Sequence, residues 1–158
     1  MAAIKAEWID PEIGESLRGF PDFEFSVDNI PAMRSGTMFE PQSAPDIKRV
    51  ELTTERGGVA LSLLRLVESA AEPPVLYWMH GGGMVIGNRH MDDARLIEWC
   101  RWLGCVCVSV EYRLAPESPY PRPLDDCEAG LRFIVKHAHD LEINPQQVGI
   151  GGRSAGGA

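Results

Sequence analysis

Near its end the chain carries Gly152-Arg153-Ser154-Ala155-Gly156, which fits the pattern Gly-x-Ser-x-Gly. A serine held in that frame can act as a nucleophile toward an acyl carbon. A strand that turns sharply into a helix puts the serine at the apex in strained backbone angles, with its Oγ exposed. The flanking glycines are required because a Cβ at either position would collide with the neighbouring strand or helix. The N–H of the following residue then faces the same side, at the positive end of a helix dipole. Five residues alone are a weak signal, since glycine-rich loops with a serine arise by chance. Here they directly follow Gln147 to Ile150, a short run that reads as a strand.

A second segment, His80-Gly81-Gly82-Gly83, follows the apolar run Val75 to Met79. Consecutive glycines let main-chain N–H groups face a cleft with no side chains in the way. Such donors can bind the oxyanion of a tetrahedral intermediate, and losing one typically costs about 10²–10³ in rate. A flexible glycine turn is the competing reading of this segment taken alone.

The elements that must hold these loops are legible in the hydrophobic pattern. Ile47, Val50 and Leu52 lead to a turn at Arg56-Gly-Gly58 and on to Val59 through Val67, which predicts a hairpin. Val75 to Met79 reads as a fully buried strand. From Met91 to Leu103, Ala94, Ile97, Cys100 and Leu103 share one face, with Asp92 and Asp93 at the start and Gly104 just past the end, so a helix is predicted. Cys105 to Val110 is a further buried strand. Leu124 to Ala138 repeats helical spacing through Leu124, Cys127, Leu131 and Ile134, and Asn144-Pro145 breaks it before the strand at Gln147. This order predicts an α/β class, a mostly parallel sheet with an antiparallel hairpin at its start, joined by right-handed crossovers. Two helix–strand units separate His80 from Ser154. Both loops should therefore leave from the carboxyl ends of parallel strands, on the sheet edge where open α/β sheets bind substrates.

Residues 1–44 read differently. Prolines at 11, 21, 31 and 41 leave room only for short helices at Pro11 to Arg18 and Ile30 to Ser35. Trp8, Phe20, Phe23, Phe25 and Phe39 are scattered through this polar stretch. A segment too short for its own core yet apolar in spots is expected to lie on the rest as a cap or arm; a loosely ordered tail is the alternative. Residues 45–158 would then form the α/β unit.

Composition bounds the partners. The 158 residues are 44% hydrophobic and 24% charged, and 15 basic against 23 acidic residues give a formal charge of −8. That is an ordinary globular balance, and its sign disfavours nucleic acid or an anionic membrane. No stretch approaches the ~20 apolar residues of a membrane span. Lys5, Glu7 and Asp10 interrupt any secretory h-region, so a cytoplasmic address is expected. Cys100, Cys105, Cys107 and Cys127 form no C-x-x-C pair and no zinc spacing; Cys105 and Cys107 should share a strand face as buried thiols. No internal repeat or low-complexity segment is present.

A third segment, Glu111-Tyr112-Arg113-Leu114-Ala115-Pro116-Glu117, running on to Asp126, resembles the Tyr-Arg-Leu-Ala-Pro-Glu stretch of the hormone-sensitive-lipase-like esterases. With the two glycine motifs, the resemblance covers the chain from about residue 45 onward. It implies an α/β-hydrolase fold with a helical cap formed by the N-terminal arm. It implies Ser154 as the nucleophile and the N–H groups of Gly82, Gly83 and Ala155 as the oxyanion hole. His80 and Gly81 would shape that loop, His80 as a structural hydrogen-bonder. Tyr112, Arg113, Glu117 and Asp126 would brace the loop after the fourth strand, with a buried Arg–carboxylate pair. The activity implied is hydrolysis of short-to-medium acyl esters through an acyl-enzyme, with a small-molecule ester as partner and with no metal or organic cofactor. A homodimer of the complete protein is left open.

Two features depart from that pattern. The family usually has an acidic residue before the serine, where this chain has Arg153. A cation there should favour the oxyanion but draw the triad carboxylate from its histidine, so Arg153→Asp is expected to raise kcat. The triad in this fold runs Ser, then Asp or Glu, then His, and only Ala155 to Ala158 follow Ser154. His80, His90, His137 and His139 all lie upstream; His90 is expected at the start of the first long helix, His137 and His139 at the end of the second. The chain therefore reads as the N-terminal half of an esterase, cut after the elbow, expected inactive alone and left with an exposed apolar sheet edge. A non-catalytic ligand-binding member of the same fold is the alternative. A phosphate-binding loop fits poorly, because Gly149 to Ser154 lacks the Lys-Ser/Thr ending.

Overall fold

The alternation that begins at Ile47 becomes a five-stranded sheet ordered β1-β2-β4-β3-β5. Its strands are β1 (Ile47–Thr53), β2 (Ala60–Leu66), β3 (Val75–Met79), β4 (Val106–Glu111) and β5 (Val148–Gly152). The structure is a computed structural model that describes residues 8–17, 26–35, 39–55 and 57–158. Strands β3, β4 and β5 run parallel, while β2 is antiparallel both to β1 and to β4. The hairpin thus joins the parallel part through β2, a neighbour relation that hydrophobic periodicity does not encode.

Alternate residues of the central strands feed two separate cores, as strand periodicity requires. On one face Leu61, Val75, Tyr77, Val106, Val108 and Val110 pack with Ile134 of α4 (Arg122–Lys136). On the other, Leu64, Trp78, Cys105 and Cys107 pack with Leu96, Ile97 and Cys100 of α3 (Asp93–Leu103). The sulfurs of Cys105 and Cys107 lie 3.8 Å apart on that face, and Cys100, Cys105 and Cys107 are all buried. β3 has the bounds its apolar run predicts. α4 starts at Arg122, two residues before the expected Leu124, because Pro123 fits the first helical turn, where its missing N–H costs nothing. β5 runs on to Gly152 because the ladder with β3 continues to Met79 opposite Gly152.

The N-terminal arm contributes α1 (Pro11–Leu17) and α2 (Ile30–Arg34), the latter entered through a single 3-10 turn at Val27–Asn29. Both helices stand where the prolines allow them. Arg18, Phe20, Phe23 and Phe25 of the expected arm, and Arg56 of the hairpin turn, lie outside the described residues. The arm is tied to the sheet unit: Gln42 N donates to Asp93 Oδ2 (2.9 Å) and Asn88 Nδ2 donates to Phe39 O (3.1 Å). β5 is an edge strand, with Ile150 59% exposed. Among the described residues no helix is long and apolar enough to cross a membrane.

Candidate active site

Met79 stands level with Val110 of β4 on one side and Gly152 of β5 on the other. Three loops therefore emerge side by side from carboxyl strand ends: His80–Gly87, Tyr112–Pro121 and the Arg153–Ser154 turn. All three sequence motifs converge there, at the edge the topology favours for substrate sites.

Arg153 N donates to Met79 O (3.1 Å), and the next residue, Ser154, adopts φ +52°, the left-handed region that a non-glycine residue rarely occupies. The 3-10 helix Ser154–Gly157 begins at that point. A Cβ on Gly152 would stand 1.9 Å from Gly156 O, and one on Gly156 would stand 2.2 Å from Met79 O. The expected need for both flanking glycines is thus a matter of backbone meeting backbone.

The glycine loop comes to the same place. A Cβ on Gly81 would lie 3.5 Å from the Cβ of Ser154. Gly82 (φ +113°), Gly83 (φ +64°) and Met84 (φ +59°) follow in succession. Gly82 O accepts from Val85 N (3.1 Å) and Ile86 N (3.0 Å), closing a tight turn. Among the described residues no backbone acceptor takes the N–H of Gly82 or Gly83. Beside Ala155, Met79, Met84, Tyr112, Leu124 and Cys127 enclose a small apolar cavity of about 30 Å³. A much larger concavity, about 630 Å³, lies between Lys48, Arg65 and Glu142 at the opposite sheet edge, remote from all three motifs. Chemistry and not size marks the site.

His80 is fully buried, and burial pushes its imidazole below the ordinary histidine range, so it stays neutral. Its Nδ1 lies 2.7 Å from Gly81 O, which can only accept, so the ring proton belongs on Nδ1. Tyr112 stacks on the ring at 4.1 Å and donates its hydroxyl to His80 O (2.6 Å). The ring's polar and stacking contacts are thus with the loop's own backbone and with Tyr112. Tyr112→Phe should lower stability by about 1–2 kcal/mol, because a buried carbonyl loses its donor. Urea unfolding checks this, and an unchanged midpoint would remove Tyr112 from the loop's support.

Arg113 and Asp126 do pair, but only the carboxylate is buried and the Arg113 side chain is exposed: Nε donates to Oδ2 at 2.7 Å and Nη2 to Oδ1 at 2.6 Å, with Arg113 N also donating to Oδ2 at 2.9 Å. Glu117 is not part of it. Arg34 of the arm takes Glu117 in a two-point pair (2.9 and 3.0 Å) and holds its carboxyl below the usual range. Sequence reasoning missed Arg34, which lies 83 positions from Glu117.

Arg153 also has a partner that its sequence neighbours do not reveal. Its Nη1 donates to Asp92 Oδ1 (2.9 Å), and the other oxygen of this buried carboxylate accepts from Trp78 Nε1 (3.0 Å). Asp92 reads in sequence as an ordinary acid near a helix start. The expectation for Arg153 supposed a free cation, and the structure gives it a fixed counter-ion. Arg153→Asp would now set two carboxylates side by side. It should cost about 2 kcal/mol of stability instead of improving catalysis, the usual cost of a broken buried pair being reduced because Arg153 is 42% exposed. Thermal unfolding of Arg153→Asp against Arg153→Met tests the sign: the Asp variant should be the less stable.

The remaining histidines have other partners or face solvent. His90 precedes α3, 3.5 Å from Asp93 and 3.3 Å from Arg49. His137 caps α4 with its Nε2 3.1 Å from Glu55, and His139 is exposed. No side chain among the described residues hydrogen-bonds Ser154 Oγ.

Comparison with known proteins places these loops in a lineage. A family model described as the alpha/beta hydrolase fold matches residues 76–158. Esterase LipI of Mycobacterium tuberculosis is 31% identical over 156 residues, covering 94% of this chain and 48% of LipI. Carboxylesterase NlhH of the same organism is 30% identical, covering 94% and 49%. Among solved structures, a bacterial heroin esterase superposes with a TM-score of 0.79 at 35% identity, over 94% of this chain and 49% of its own. The chain spans about half the length of these relatives. The match takes in β3, both glycine loops and the serine turn, so the chain belongs to the α/β-hydrolase fold family, in its hormone-sensitive-lipase-like branch.

Proposed function

We propose that this chain is the nucleophile-bearing part of a serine carboxylesterase acting on short-to-medium acyl esters. The observation that carries the reading is Ser154 at φ +52°, set between two glycines that have no room for a Cβ and against Gly81 of the second loop. A left-handed serine in so closed a turn is strain that a merely structural loop has no reason to hold.

In this reading Ser154 Oγ attacks the ester carbonyl carbon and gives its proton to a histidine base. The carbonyl oxygen takes the negative charge and is met by the N–H groups of Gly82, Gly83 and Ala155. Collapse of the tetrahedral intermediate expels the alcohol, which takes the proton from the base and leaves an acyl group on Ser154 Oγ. Water then attacks that ester, and the acid and free serine are released. The base and its carboxylate partner come from outside residues 1–158. No step calls for a metal or organic cofactor. His80 and Gly81 shape the donor loop, residues 1–44 serve as a cap, and residues 45–158 form the α/β unit beneath it. The printed names of LipI and NlhH support the reaction class.

The test is hydrolysis of p-nitrophenyl acetate, butyrate and decanoate by the full gene product. Butyrate should be cleaved faster than decanoate, and Ser154→Ala should lose at least about 10³-fold, as triad serines do. Ester binding without turnover would favour a ligand-binding role, and turnover surviving Ser154→Ala would overturn the assignment.

A further inference from the structure

We infer that Arg34, in the N-terminal arm, is a positioning residue that holds the Gly82–Ile86 turn in its donor geometry; this rests on the oxyanion role proposed for that turn. Arg34 ends α2, and its guanidinium joins three partners on two loops. Nε donates to Val85 O (2.7 Å), Nη2 donates to Ala115 O (2.6 Å), and Glu117 takes Nη1 and Nη2 through its two oxygens. The two carbonyls belong to the loops that follow β3 and β4, and those loops are themselves joined by Ala115 N donating to Met84 O (2.8 Å).

The turn needs outside support. Gly82, Gly83 and Met84 are successive left-handed residues, and a methionine takes that conformation only against a steric cost. The carbonyls of Met84 and Val85 are both held, one by Ala115 N and the next by Arg34 Nε. Released, these peptide planes can rotate, and the N–H groups of Gly82 and Gly83 rotate with the chain that carries them. Arginine suits the task because its planar fork presents five donors at fixed angles on three nitrogens, whereas a lysine has three donors on one nitrogen and cannot reproduce these four bonds. Glu117, whose side chain is 64% exposed, balances the charge from the solvent side, while the two carbonyl bonds fix the fork. The arm thereby becomes part of the catalytic assembly instead of a lid alone.

A residue that only covers the acyl group would alter KM in a way that follows acyl length. One that aims oxyanion donors lowers kcat alike for every acyl chain, because those bonds strengthen in the transition state. In the full gene product, Arg34→Met should lower kcat by about tenfold to a hundredfold, below or near the loss of a whole donor. KM for acetate and butyrate esters should stay within about threefold. Glu117→Gln keeps both carbonyl bonds and should lower kcat by no more than about threefold, and Arg34→Lys should fall between. Amide ¹⁵N–¹H shifts of Gly82, Gly83 and Val85 in the same protein should move in Arg34→Met and hold in Glu117→Gln. The inference is overturned if folded Arg34→Met keeps its kcat, if Glu117→Gln loses as much, or if only KM changes. Should the wild type show no turnover, the esterase reading fails by itself. The amide shifts then decide this inference: unmoved shifts in Arg34→Met overturn it, and moved shifts uphold it.

Discussion

A methyl group on Gly156 will keep the serine turn from forming. The Cβ of Gly156→Ala would lie 2.2 Å from Met79 O, 2.5 Å from His80 O and 2.7 Å from Met79 C. All three are backbone atoms, so no rotamer change relieves the overlap. The strand they end is β3, which is held between β4 and β5 and cannot yield without breaking a ladder. A clash of this kind belongs with the rare substitutions costing more than about 4–5 kcal/mol, a large part of a domain's total stability. The variant should either fail to accumulate or melt at least roughly 10 °C lower. Gly83→Ala is the control. Nothing lies within 4 Å of its Cβ, and only its φ of +64° opposes the change. Its cost should be about 1 kcal/mol, a few degrees at most. Equal melting temperatures for the two variants would show that the close approach of the turn to β3 is not real.

Residues 1–158 by themselves will show no ester turnover above their Ser154→Ala control. A neutral serine hydroxyl is a poor nucleophile until a base takes its proton. Among the described residues none bonds Ser154 Oγ, and the four histidines are engaged elsewhere or face solvent. His80 is neutral and committed to Gly81 and Tyr112, His90 to the Asp93–Arg49 cluster, and His137 to Glu55. Oxyanion donors and binding without the triad leave at most a residual ~10³–10⁴ over water, far below a complete enzyme. The measurement is the initial rate on p-nitrophenyl butyrate, set against the Ser154→Ala control at equal concentration. Serine-dependent hydrolysis by this chain alone would mean that one of these histidines moves to the nucleophile.

What could be read from the sequence was what is local. β3 was recovered at its true bounds because five apolar residues stand between Pro74 and His80, and both long helices were found within two residues because their faces repeat at helical spacing. The elbow and the glycine loop are short contiguous motifs whose steric needs are written in their glycines, and the structure brings them together at Gly81 and Ser154. What could not be read was whatever depends on distant partners. β2 pairing with β4, Arg153 reaching Asp92 across 61 positions, and Arg34 reaching Val85 across 51 leave no periodic trace. Arg153 shows the consequence most plainly. Read as a lone cation, Arg153 bears on catalysis; paired with a buried carboxylate, it bears first on stability.

The most direct test of the central claim is to treat the full gene product with a fluorophosphonate and locate the adduct by mass spectrometry. The phosphorus is attacked by an activated oxygen, fluoride leaves, and the product mimics the tetrahedral intermediate. The account predicts stoichiometric labelling on the peptide containing Ser154, and none in Ser154→Ala. Absence of label from folded protein, or label on another residue with Ser154 untouched, would contradict it.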